Sequence, residues 1–136
     1  MSARSKARKR ALDVLYSADI RGQELDVALA EAAERAAAEP QRAVSWGYAR
    51  DIIDGVIAHE DEIDHLIIDH AHGWTLQRMP AVDRALLRLA TWEIHFNDEV
   101  DAAVAINEAV ELAKELSTDD SARFVNGVLD AIARAN

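Results

Sequence analysis

Pro80-Ala81-Val82-Asp83-Arg84-Ala85-Leu86-Leu87-Arg88-Leu89-Ala90-Thr91-Trp92-Glu93-Ile94 decides the fold. Pro80 stands where a first helical turn accepts a residue without an N–H. Val82, Leu86, Leu89 and Trp92 then recur at three- and four-residue spacings, and Ile94 extends a strongly apolar helix. A half-buried strand would alternate with period two, and this stretch does not.

The same repeat continues on both sides. Ala7, Ala11, Val14, Leu15 and Ala18 predict a helix over about Arg4 to Ile20, with Gly22 as its stop. Residues 24–38 read as an Ala-rich helix ended by Pro40. Val44, Tyr48, Ile52 and Val56 mark a third, and Ile63, Leu66, Ile67 and His70 a fourth, closed by Gly73. Downstream, a helix covers about Ala102 to Leu116. Ser117-Thr118-Asp119-Asp120 is a capping cluster, and Phe124, Val125, Val128, Leu129 and Ile132 form the last helix. The expected fold is all-α, about seven helices with short loops in one domain spanning 1–136. The Gly73–Pro80 segment is the expected hinge between two packed helical subdomains, about 1–72 and 74–136.

Composition supports this. The chain of 136 residues has 27 alanines, five glycines and two prolines, which favours helix throughout. It has no cysteine, so disulfides and thiolate metal sites are excluded. No apolar run reaches the roughly 18 residues of a membrane span. The opening is basic, contains Ser and is helical, as mitochondrial targeting peptides are, but it runs without a break into Leu12, Val14, Leu15 and Tyr16.

Charge is polarised. Arg4, Lys6, Arg8, Lys9 and Arg10 lie in the first ten residues with no acid among them, and the whole chain carries −10. The remaining 126 residues therefore carry −15. Two partners of opposite sign fit such a surface, one anionic and one basic. Cations at a helix start oppose the macrodipole by about 0.3 kcal/mol or more each, so stability does not account for them. An external anion does, because helix-start amides and guanidinium groups together suit phosphate. Arg4 and Arg8 are four apart, as are Lys6 and Arg10, so the pairs form neighbouring strips. The bland alternative is a flexible solubility tail. Five phosphate contacts on a single strand would give a salt slope of roughly −3.5, which is modest. The acidic body would repel a long polyanion, so tight RNA binding calls for a basic protein partner.

Signs of an enzyme are missing. There is no Gly-rich phosphate loop, no nucleophile in a recognisable turn and no cofactor motif. His59, His65, His70, His72 and His95 lack metal-ligand spacing, and the many carboxylates read as solvated helix faces.

Four stretches carry more information together than apart. They are the basic opening into Ala11-Leu12-Asp13-Val14-Leu15-Tyr16, then Val82-Asp83-Arg84-Ala85-Leu86-Leu87-Arg88, then Ile106-Asn107-Glu108-Ala109-Val110, and Phe124-Val125-Asn126-Gly127-Val128-Leu129. Gly127 within a helix costs about 1 kcal/mol against Ala and suits a close helix crossing. Asn126 suits a bond to a neighbouring loop. Phe124 stands near a helix start beside Asp120, Ser121 and Arg123, placed either to pack inward or to stack on a base.

In this order, over nearly the full length, the chain resembles the NusB transcription antitermination family. The resemblance implies two helical subdomains and no enzymatic activity or cofactor. It implies pairing with NusE, a small-subunit ribosomal protein. The pair would bind single-stranded boxA RNA in nascent ribosomal RNA leaders and help RNA polymerase read through terminators, in the bacterial cytoplasm. Carried over by position, Arg4, Lys6, Arg8, Lys9 and Arg10 match the family's RNA-binding motif. Asp120 and Phe124 match positions implicated in RNA contact, and Tyr16 and Asp83 match the NusE-facing side. Asp83 stands where a longer Glu can occur. A similar helical domain fronts some ribosomal RNA cytosine methyltransferases, but those need a further domain with a cofactor loop and a cysteine. The other alternative is a protein–protein adaptor or homodimer without a specific RNA role.

Overall fold

The computed structural model describes residues 2–135, and the element boundaries follow the apolar spacings closely. The helices are α1 (Ala3–Arg21), α2 (Leu25–Ala37), α3 (Ala43–Ala58), α4 (Glu60–His70), α5 (Ala81–Phe96), α6 (Ala102–Leu116) and α7 (Asp119–Ala135). Short 3-10 turns at Pro40–Arg42 and Leu76–Arg78 precede α3 and α5. No strand occurs among the described residues.

The helix ends have local causes. The Ser2 hydroxyl accepts from the Ser5 amide at 3.0 Å and caps α1. Gly22 ends α1 with φ +63°, a left-handed conformation that glycine adopts freely. Pro80 immediately precedes α5. The Thr118 hydroxyl accepts from the Ser121 amide at 3.0 Å and caps α7.

Helix α5 is the hub. It packs against α1, α3, α4, α6 and α7, and its residues from Ala85 to Ile94 are buried apart from Arg88. A helix apolar on nearly every side must lie inside a bundle. One continuous cluster joins Leu12 and Leu15 of α1 and Ile52 and Ile53 of α3 to Leu86 and Leu89 of α5 and Leu129 and Ile132 of α7. Helix α1 lies against α3 and α5, so one long face of it is committed to the core.

Glycine use differs from expectation. A Cβ at Gly127 would meet nothing within 4 Å, so this residue serves no close crossing. Asn126 beside it is exposed. The close approach is at Gly55 of α3, where a Cβ would overlap the Trp92 indole.

Candidate nucleic-acid interface

The five basic residues of α1 separate into distinct environments once the helix is docked. Lys6 is exposed and makes no ion pair among the described residues. Lys9 pairs with Glu115, and both side chains remain more than 40% exposed. Arg4 pairs with the exposed Glu99 at 3.2 Å and lies 4.6 Å from the Tyr48 ring centre. Exposed pairs of this kind hold their cations weakly, by about 0–1 kcal/mol. Arg10 donates to the Arg42 carbonyl at 2.9 Å and the Ser45 hydroxyl at 3.0 Å, with its guanidinium 5.5 Å from the Trp46 ring. Partial burial and the nearby Arg42 cation push its pKa down.

Arg8 departs from the expectation of a surface cation. It is 3% exposed, and its Nε donates to both carboxylate oxygens of Glu93 at 3.0 Å. Glu93 is fully buried and also accepts from the Tyr48 hydroxyl. Glu108 lies 3.3 Å from the other side of the guanidinium. Burial alone would lower the Arg8 pKa, but the hydrogen bond and charge of Glu93, helped by Tyr48 and Glu108, raise it. The physical reason is helical geometry. Arg8 is three and four residues from Ala11 and Leu12 and so shares their inward stripe. It ties α1 to α5 and offers no free cation to a phosphate.

A groove of about 860 Å³ runs along the outer side of α1. Its walls include Lys6, Lys9, Arg10, Tyr16, Val44 and Leu116. Tyr16, expected on a protein-facing side, thus shares one groove with three expected RNA contacts, and it is 37% exposed. Leu116 ends α6, and the short connection beyond it leads to the start of α7.

There Asp120 is exposed and paired with Arg123. Phe124, one turn on, is half-buried and packs against the core. Asp83 is not on the surface. It is 2% exposed, in the first turn of α5, with Val82 beside it lining the groove in its place. Burial pushes its carboxyl pKa up, opposed by a hydrogen bond from Ser121 of α7, and its Oδ1 has no partner within the protein. Any effect of Asp83 on a partner is therefore indirect, through the setting of α5 against α7. No cluster of three or more metal-ligating side chains occurs among the described residues.

Such an arrangement defines a helical binding domain: buried charges hold one helix in place, and that helix displays cations and a tyrosine along an open groove. The sequence matches the NusB family over residues 5–134, and the chain belongs to that family. The transcription antitermination protein NusB of Leifsonia xyli is 64% identical over 134 residues, covering 98% of this chain and 93% of that protein. The NusB of Clavibacter michiganensis is 62% identical over 133 residues, covering 98% and 97%. Among solved structures, T. maritima NusB superposes with a TM-score of 0.84 at 33% identity, covering 98% of this chain and 92% of that one. A chain from the crystal structure of antitermination factors NusB and NusE in complex with dsRNA also gives 0.84, at 32% identity, covering 100% and 99%.

No described helix is long and apolar enough to cross a membrane.

Proposed function

We propose that the protein is a transcription antitermination factor that acts without enzymatic activity, pairing with NusE to bind boxA-type RNA in nascent ribosomal RNA leaders. Its family membership supports this, as does the structural likeness to a NusB–NusE–RNA assembly. One observation carries the reading furthest: Lys6, Lys9 and Arg10 line one groove with Tyr16, on a chain of net charge −10. RNA is attracted to that groove and repelled by the rest. A basic ribosomal protein lying on the acidic body removes the repulsion and lengthens the RNA track. Each partner then raises the affinity of the other by the same factor. RNA polymerase is engaged through the assembled complex, in the bacterial cytoplasm where transcripts are made. Two subdomains, 1–72 and 74–136, would group α1–α4 apart from α5–α7, and the groove draws Val82 and Leu116 from the second group.

With Arg8 withdrawn from the surface, Arg4, Lys6, Lys9 and Arg10 remain as phosphate contacts. Four contacts to a single strand give a salt slope of about −2.8. The test is a titration of boxA-type RNA into the protein, with and without NusE, at several salt concentrations. Sequence-selective binding that needs NusE, with a slope made shallower by about 0.7 in Lys6→Ala, is the expected result. Equal affinity for scrambled RNA, or no binding with NusE present, would leave a protein–protein adaptor or homodimer instead.

A further inference from the structure

Trp74 has no role in the fold or in the groove described above. It lies between α4 and α5 and is 48% exposed. The backbone before it is unusual. His72 has φ +51° and Gly73 φ +86°, and the Trp74 amide donates to the Ala71 carbonyl at 3.1 Å. A non-glycine residue in the left-handed region is uncommon, so this turn carries some conformational cost. The indole meets Phe124 edge-on, with ring centres 5.9 Å apart. Phe124 is itself half-buried against the core, so Trp74 is the ring of this pair with more surface open to a ligand. Two exposed cations stand close by in sequence. Arg78, four residues after Trp74, makes no ion pair among the described residues, and Arg123, next to Phe124, pairs there with the exposed Asp120.

We infer that Trp74, backed by Phe124, is a stacking platform for one unpaired RNA base, with Arg78 and Arg123 placed to meet the adjoining phosphates. This rests on the RNA-binding reading above and extends it. The chain order supports it: Leu116, which lines the α1 groove, is followed after two residues by α7, and α7 carries Phe124 and with it the ring contact to Trp74. The chemistry favours a nucleotide over a protein segment. One open aromatic ring with exposed arginines near it in sequence matches a base joined to phosphates, whereas a protein anchor needs a broader apolar surround.

The test uses the full chain with NusE and a boxA-type single-stranded RNA carrying 2-aminopurine at successive positions. Stacking quenches 2-aminopurine, so one position is expected to lose fluorescence on binding. Trp74→Ala should abolish that quenching and weaken binding about 5- to 140-fold, while the salt slope stays unchanged because no charge is lost. Trp74→Phe should retain most of both. Thermal melts of each variant confirm that the fold is intact. If Trp74→Ala keeps full affinity and quenching while Lys6→Ala still weakens binding, the platform is wrong and the RNA reading stands. If Trp74→Ala lowers affinity for NusE alone, the ring is a protein contact and the platform is again wrong. If the unaltered protein with NusE does not bind the RNA, both inferences fall.

Discussion

Arg8→Ala tests whether a residue of the basic opening serves the fold rather than the ligand. Glu93 is fully buried, and both its oxygens receive the Arg8 Nε at 3.0 Å. Removing the guanidinium leaves a carboxylate inside the protein with Tyr48 as its remaining donor. Breaking a buried pair from one side costs about 3–5 kcal/mol. A domain of this size has about 5–15 kcal/mol to lose, and the melting temperature should fall by roughly 10 °C or more. Urea unfolding followed by circular dichroism measures the loss directly. The double variant Arg8→Met, Glu93→Leu removes both charges together. It should recover to within about 2 kcal/mol of the parent or exceed it, since the desolvation cost disappears with the pair. Tyr48 keeps Asn97 as a partner in that background, at 3.1 Å. The double variant should also bind RNA with an unchanged salt slope. Two results would refute the reasoning: Arg8→Ala within about 1 kcal/mol of the parent, or a slope in the double variant shallower by about 0.7, the signature of a lost phosphate contact.

Two glycines should respond in opposite directions. Gly55→Ala drives a methyl into the Trp92 indole and should cost about 1–3 kcal/mol in urea unfolding, with a changed near-ultraviolet tryptophan signal. Gly127→Ala meets open space on an exposed part of α7 and should stabilise by about 0.5–1 kcal/mol. Asp83 gives a pH prediction. Burial raises its folded pKa above the unfolded value, so the native state holds that proton more tightly. Its contribution is therefore most favourable below the ordinary carboxylate range and declines as pH rises through the folded value. Asp83→Asn should be more stable than the parent at pH 7, and the gap should close towards pH 4 in thermal melts; an equal gap at both would remove burial as the cause.

The helices were legible because apolar spacing, Pro80, Gly22 and the Thr118 cap are local signals that tertiary contacts reinforce. The candidate site was legible only in part. Charge alone grouped Arg8 with Lys6 and Lys9, but their fates depend on which side of α1 meets the core. A signal was present: Arg8 falls on the stripe of Ala11, Leu12 and Leu15, and Glu93 interrupts the apolar run from Leu86 to Ile94. Two opposite charges, each on an apolar stripe, suggest a buried pair. Their pairing across 85 residues was not readable from either helix alone. Asp83 misleads for a related reason, since a carboxylate in a first helical turn is usually solvated and here α7 covers it. Trp74 sits in a loop with no periodic pattern around it, so only the position of Phe124 gives it meaning.

The Arg8–Glu93 link also bears on synthesis. The basic helix leaves the ribosome well before α5, and the acid that anchors it is made 85 residues later. At about 5–20 residues per second, α1 waits several seconds for its counter-ion. During that time its charges are present but its groove is not, because α3 and the end of α6 supply the walls. A nascent chain can therefore meet polyanions only through a loose basic tail. Selective recognition begins when translation has passed α6.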